Sequence, residues 1–165
     1  MKCNGEGNNN GIVRIKQYGI EYTFWIHADI VMPNIKEDLR KRFPDKLIVR
    51  ELNRIDYSIP EENLPVEIQS TRMTSMTIGR YVSINYSGWE NEIRRQIEQN
   101  IINSGKCWFF FDSELLRAMK NSGKNTSINM DWFRKYMKEE KLKVFTISYD
   151  GTIEEKVYKD FDFLS

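Results

Sequence analysis

An α/β (α+β) fold is predicted by three patterns in the chain. Residues 106–112 (KCWFFFD) form a short, almost wholly apolar run, the composition of a strand covered on both faces by helices. Trp89, Ile93, Ile97 and Ile101 recur every four residues and mark one apolar stripe on a helix over 89–103. Residues 55–59 and 64–71 are alternating runs separated by Pro60-Glu61-Glu62-Asn63, which reads as a hairpin with one wet face.

The remaining elements are read from the N-terminus onward. Residues 1–11 offer nothing to pack and are expected to be a loosely held start. Residues 12–16 and 20–31 are rich in β-branched and aromatic side chains around Tyr18-Gly19, a hairpin signal. Pro33-Asn34 opens a helix over 35–43, with Glu37 and Asp38 near its positive end and Arg40, Lys41 and Arg42 near its negative end; Pro44 stops it. Residues 46–53 read as a strand preceding the hairpin. The segment 72–87 is polar and methionine-containing, with a strand at 81–85. Ser104-Gly105 ends the 89–103 helix. After the apolar strand come a helical turn at 113–119, a loop at 121–129 and a helix at 130–141. A closing hairpin pairs 142–148 with 153–158 around Asp150-Gly151.

With 165 residues, 40% of them hydrophobic, the chain can bury one substantial core but hardly two, so a single domain over 1–165 is expected. Twenty-five Lys plus Arg against 24 Asp plus Glu give a formal charge of +1, which excludes a protein whose affinity for nucleic acid is bulk charge. Any such surface must be local. No apolar run approaches the ~20 residues that cross a bilayer. The first residues, MKCNG, lack the apolar segment of a secretory signal, so a soluble, cytoplasmic protein without a membrane partner is expected. Cys3 and Cys107 are too few for a disulfide framework and too far apart for a paired-cysteine zinc motif. With His27 the sole histidine, a histidine-based hydrolytic triad is also disfavoured.

The hairpin carries the chemistry. If residues 60–63 form a four-residue loop, Ile59 lies opposite Leu64, and counting back places Asp56 opposite Glu67. Alternation then puts Ile55, Tyr57 and Ile59 with Leu64, Val66 and Ile68 on an apolar face, and Gln69 with the carboxylates beside Arg54. Opposed like charges destabilise a hairpin by roughly a few tenths of a kcal/mol or more unless something positive lies between them. A divalent cation answers that objection, although a plain wet face is an equally ordinary reason for acids there.

Asp56, Glu67 and Gln69 resemble the active-site hairpin of the PD-(D/E)XK nuclease superfamily, in which an Asp on one strand and an acidic-X-Lys motif on the next hold magnesium. Gln69 stands where Lys is usual, similar to the Glu-X-Gln variant of some restriction endonucleases, and Ile55 stands where the family name has Pro. The element order over about 34–112 is also similar. The resemblance implies a restriction-endonuclease-like core, a central mixed sheet flanked by helices, with extra N- and C-terminal strands. It implies Mg2+ held by Asp56, Glu67 and the main-chain carbonyl of Ile68, with Gln69 orienting water and Glu37 or Asp38 as a further acid from the first helix. Phosphate charge would be neutralised by Arg54 or Arg72. The implied activity is a sequence-specific endonuclease of the type II restriction class acting on double-stranded DNA as a homodimer. A Holliday-junction or viral nuclease, and a noncatalytic module that binds nucleic acid or protein, are the alternatives.

Arg94, Arg95, Arg117, Lys120 and Lys124 are candidates to grip DNA phosphates, and Arg72, Arg80 and Asn85 to reach base edges. Each is equally explained as a surface residue. His27 reads as a structural or surface residue, the four tryptophans and Phe109-Phe110-Phe111 as core, and Cys107 as buried and inert.

Overall fold

Alternating β-branched and aromatic residues build a first sheet. In the computed structural model, which describes residues 2–7, 11–74 and 83–164, β2 (Ile12–Gln17) pairs antiparallel with β3 (Ile20–Trp25). The turn between them places Tyr18 at φ 52° and Gly19 at φ 77°, the two positive angles a tight hairpin of this twist requires. β1 (Lys2–Gly7) pairs with the other edge of β2. Over the described residues 2–7 this corrects the expectation of a loosely held start, because backbone hydrogen bonds pair them with β2.

A second sheet of six strands runs in the order β4-β5-β6-β7-β8-β9. β4 (Val49–Arg50), β5 (Tyr57–Ile59) and β6 (Leu64–Gln69) form an antiparallel meander. β7 (Cys107–Asp112) and β8 (Leu142–Ile147) continue it in parallel, and β9 (Ile153–Lys156) closes it antiparallel. The sheet is therefore mixed and flanked by helices: α1 (Met32–Arg42), α2 (Tyr86–Ser104), α3 (Ser113–Ser122) and α4 (Asp131–Lys138). The predicted order of helix, three strands, helix and strand over 34–112 is the order found. Among the described residues, no helix is long and apolar enough to cross a membrane.

The two faces of this sheet bury different helices. Ile35 and Leu39 of α1 join Tyr57, Ile59, Val66, Ile68, Phe110 and Phe145 in one cluster. Trp89, Ile93 and Ile97 of α2 join Phe109, Phe111, Val144 and the residues of α3 and α4 in the other. Phe110 and its neighbours Phe109 and Phe111 thus point to opposite faces, as strand alternation demands. All three are buried, as are Trp25, Trp89 and Trp132.

Several boundaries differ from expectation for local reasons. The strand expected over 46–53 shrinks to two residues because Glu51, Asn53 and Arg54 take φ of 60°, 53° and 66°, which no ladder accommodates. The strand expected to reach residue 31 stops at Trp25, and Met32 begins α1 with Pro33 in its first turn, where a missing N–H costs nothing. The helical turn expected at 113–119 is a full helix capped by the Asp112 carboxylate, which accepts the Glu114 N–H at 2.9 Å. Of the strand expected at 81–85, residues 81–82 lie outside the described residues, and Ile84 makes one isolated bridge to Met73.

Asp112 also joins the two sheets. It is 0% exposed, and its Oδ2 accepts the Trp25 N–H at 3.0 Å and the Thr71 hydroxyl at 3.3 Å. The neighbouring Thr23 N–H donates to Glu114 Oε1 and Arg117 donates to the Glu21 carbonyl. Side chains of α3 therefore stand in for a strand along the outer edge of β3. Burial holds the Asp112 carboxyl well above the usual carboxylate range. Asp112→Ala leaves buried donors without acceptors, at about 1–3 kcal/mol each. The expected loss of unfolding free energy is about 2–4 kcal/mol in urea titrations, and a loss below about 1 kcal/mol would contradict this joint.

Candidate active site

The β5–β6 hairpin has the register counted from its loop. Pro60–Glu62 form one 3-10 turn, Asn63 takes φ 50°, and Ile59, Ser58 and Tyr57 lie opposite Leu64, Pro65 and Val66. Tyr57, Ile59, Leu64, Val66 and Ile68 form the apolar face toward α1; Ile55, expected on it as well, is only half-buried and lies outside that cluster, because the chain there has left the ladder. Glu67 and Gln69 pair with Phe109 and Phe111 of β7, so they face α2 on the other side.

Backbone polar groups of β6 also alternate: those of Leu64, Val66 and Ile68 point to β5, those of Pro65, Glu67 and Gln69 to β7. The next rung of the β5–β6 ladder would join Ile68 to Ile55. It is not made, because the Ile55 N–H turns away to the Leu52 carbonyl at 3.0 Å. The Ile68 N–H donates to Asp56 Oδ2 instead, at 2.8 Å. A residue's N–H and C=O point to the same side of its strand, so the Ile68 carbonyl also faces the Asp56 side.

The two acids meet there. Glu67 is 3% exposed and Asp56 half-buried. The two carboxyls act on each other, the pairing lowering Asp56 and raising Glu67, the pattern of a pair that holds one proton between them. Burial pushes Glu67 up to about 8, the Asp56 charge adds to the rise, and a hydrogen bond from Asn100 Nδ2 to Glu67 Oε1, at 2.9 Å, opposes it. Burial also raises Asp56, against the donation from the Ile68 N–H and the neighbouring Glu67 carboxyl. Burial likewise raises the thiol of Cys107, which is 0% exposed and 3.8 Å from Asn100 Nδ2.

Chemically, the arrangement presents hard oxygens: two carboxyls and the Ile68 carbonyl. Among the described residues, no group of three or more His, Cys, Asp or Glu side chains could hold a metal ion. A small divalent ion that keeps most of its own water fits this donor set, and one that needs a full cage of side chains does not. Gln69 lies on the same face, partly buried and without a side-chain hydrogen bond among the described residues.

Glu37 is a correction. It lies on α1, across the sheet from Glu67, is paired with Lys41 at 3.5 Å, and lines a depression with Asn34, Asp38, Gly151 and Ile153. Asp38 pairs with Arg42 at 2.8 Å. Arg54 sits in the strained turn before Asp56, exposed and off the ladder, so it is not beside Gln69 as expected. Asn85 caps α2 by accepting the Gly88 N–H at 3.0 Å, which takes the side-chain oxygen a base edge would need.

The other cations have partners of their own. Arg72 donates to the Gly88 carbonyl. Arg94 pairs with Glu98 and lies over Trp132, Arg95 pairs with Glu92, and Lys120 lies near the Phe163 ring. Arg80 and the Lys124 side chain lie outside the described residues. The outside charges that act on the pair are Glu51, which raises Asp56, Arg50, which lowers it, and Arg95, which lowers Glu67.

Two participants escaped the sequence: Asn100 and Arg50. A polar residue at 100, three positions after Ile97, was the available signal for the first.

No family model matches the chain, and neither a curated protein nor a solved structure matches it.

Because the folded chain keeps a proton on Glu67 up to about pH 8, while the unfolded chain releases it near the ordinary value of 4.5, the folded state binds more protons between these limits and stability falls as pH rises through them. In chelator, the melting temperature of the protein is expected to drop between about pH 5 and 8. Glu67→Gln, which mimics the protonated form, should flatten that part of the profile. An unchanged slope in the variant would contradict the shared proton.

Proposed function

We propose that this chain is a magnesium-dependent, sequence-specific DNA endonuclease of the PD-(D/E)XK kind, with a restriction-endonuclease-like core and the type II restriction class as its closest functional model. The observation that carries the proposal is the pairing of the Asp56 and Glu67 carboxyls, the first immediately before β5 and the second within β6. They lie at a sheet whose elements run helix, three strands, helix, strand. A buried carboxyl beside a half-buried one costs stability unless a proton or a cation lies between them, which is a reason to retain the pair for a cation.

Asp56, Glu67 and the Ile68 carbonyl are the groups that would hold Mg2+. When bound, the ion would supply positive charge at the scissile phosphate and make a neighbouring water more acidic. The chain's own residues do the rest. Ile68 fixes Asp56 through its N–H, and Asn100 fixes Glu67. The Gln69 amide can orient a water but adds no charge. Arg50 and Arg95 bring positive charge to the pair. Both are more than half exposed and paired with surface carboxylates. Such pairs are worth about 0–1 kcal/mol, so a DNA phosphate can take over these guanidinium groups. With one acid pair per chain, cutting both strands calls for a two-fold homodimer.

Gln69 is also the feature that favours a second reading, an inactive nuclease fold that binds nucleic acid. Plasmid digestion separates them. The protein with Mg2+ should nick or linearise DNA into discrete fragments, and Asp56→Ala and Glu67→Ala should each lower the rate by about a thousandfold or more. DNA left intact with magnesium and manganese, across varied sequence contexts, would support the noncatalytic module instead.

A further inference from the structure

Asn100 is a polar residue where packing alone asks for an apolar one. It lies near the C-terminal end of α2, on the face whose other buried members are Trp89, Ile93 and Ile97, and it is 4% exposed. A buried amide costs about 1–3 kcal/mol unless its hydrogen bonds are made. Its Nδ2 is placed between Glu67 Oε1, at 2.9 Å, and Cys107 Sγ, at 3.8 Å. The same end of α2 is tied to the hairpin a second time, by Asn63 Nδ2 donating to the Ser104 carbonyl at 3.2 Å. The helix terminus is therefore fastened to the loop and to one of the acids of the same hairpin.

We propose that Asn100 is a positioning residue for a divalent cation held at Asp56 and Glu67, a proposal that rests on the metal-dependent reading of the acid pair. Its amide occupies Oε1 of Glu67 and limits the rotation of that side chain, so the carboxyl is held facing Asp56 before any ion arrives. The donor type matters. A lysine or arginine at this position would compete with the ion for the carboxylate, and a leucine would leave the carboxyl free to turn. A neutral donor favours the charged carboxylate without opposing a cation, the role that groups behind metal ligands commonly play.

The test uses the full chain without DNA and reads Mn2+ binding from the loss of the free-ion paramagnetic resonance signal. The unaltered protein is expected to bind Mn2+ at the pair, and Glu67→Gln to abolish it. Asn100→Leu and Asn100→Ala remove the amide, the first keeping the bulk and the second serving if the first does not fold. Each should weaken Mn2+ binding by about 10–100-fold while the chain still melts cooperatively. Asn100→Gln, which keeps the amide, should recover part of that loss. In cleavage assays the Mg2+ concentration for half-maximal rate should rise by a similar factor, with KM for DNA unchanged. If the unaltered chain binds Mn2+ and the leucine and alanine variants bind it within about twofold, Asn100 only packs and the proposal is overturned. If the unaltered chain binds none, the metal-dependent reading fails and takes this proposal with it.

Discussion

The structure around the candidate site turns on one hydrogen-bond rung that the main chain does not make. Ile55 gives its N–H to Leu52, and the vacant position opposite Ile68 is filled by the Asp56 carboxylate. A buried N–H must find an acceptor, so the loss of the backbone partner recruits the acid and holds it against β6. The neighbouring residue on β6 is Glu67, and the alternation of the strand sends its side chain toward α2. The left-handed turn at Glu51, Asn53 and Arg54 is the local cause, because it pulls the chain off the ladder one residue too early. Strain next to a pair of acids is the form in which functional geometry is often stored.

This placement of the acids has an electrostatic consequence. Two carboxyls in contact, one of them almost wholly buried, cannot both be charged without a compensating positive group. The shared proton is one solution and a divalent cation is the other. Donors fasten one oxygen of each acid, the Ile68 N–H on Asp56 and the Asn100 amide on Glu67. A full set of side-chain ligands is absent among the described residues, which suits an ion that keeps its water and receives a phosphate oxygen.

Much of this was legible in the residues. The register of the hairpin comes from a four-residue loop and a period of two, so the facing of Asp56 and Glu67 and the apolar face of Tyr57, Ile59, Val66 and Ile68 could be counted. The missing rung could not, because Glu51 and Arg54 carry no preference for positive φ and only Asn53 hints at it. Asn100 was hidden by reading α2 in steps of four; at about 100° per residue, a step of three also returns to the same face, about 60° off against about 40° for a step of four. Glu37 was misplaced because helical periodicity says which face of α1 is buried but not which side of the sheet the helix takes. Asn85 and Arg117 have the chemistry of DNA contacts, yet their first partners are a helix N-terminus and the edge of β3, and residue type does not distinguish these uses.

The central claim is that the two carboxyls are there to hold an ion. Crystals grown with Mn2+ and measured at the manganese absorption edge test it directly. An anomalous peak between Asp56 and Glu67, within coordination distance of the Ile68 carbonyl, is the predicted result. Ordered carboxyls still in contact with no peak between them, at an Mn2+ concentration that saturates binding in solution, would contradict it.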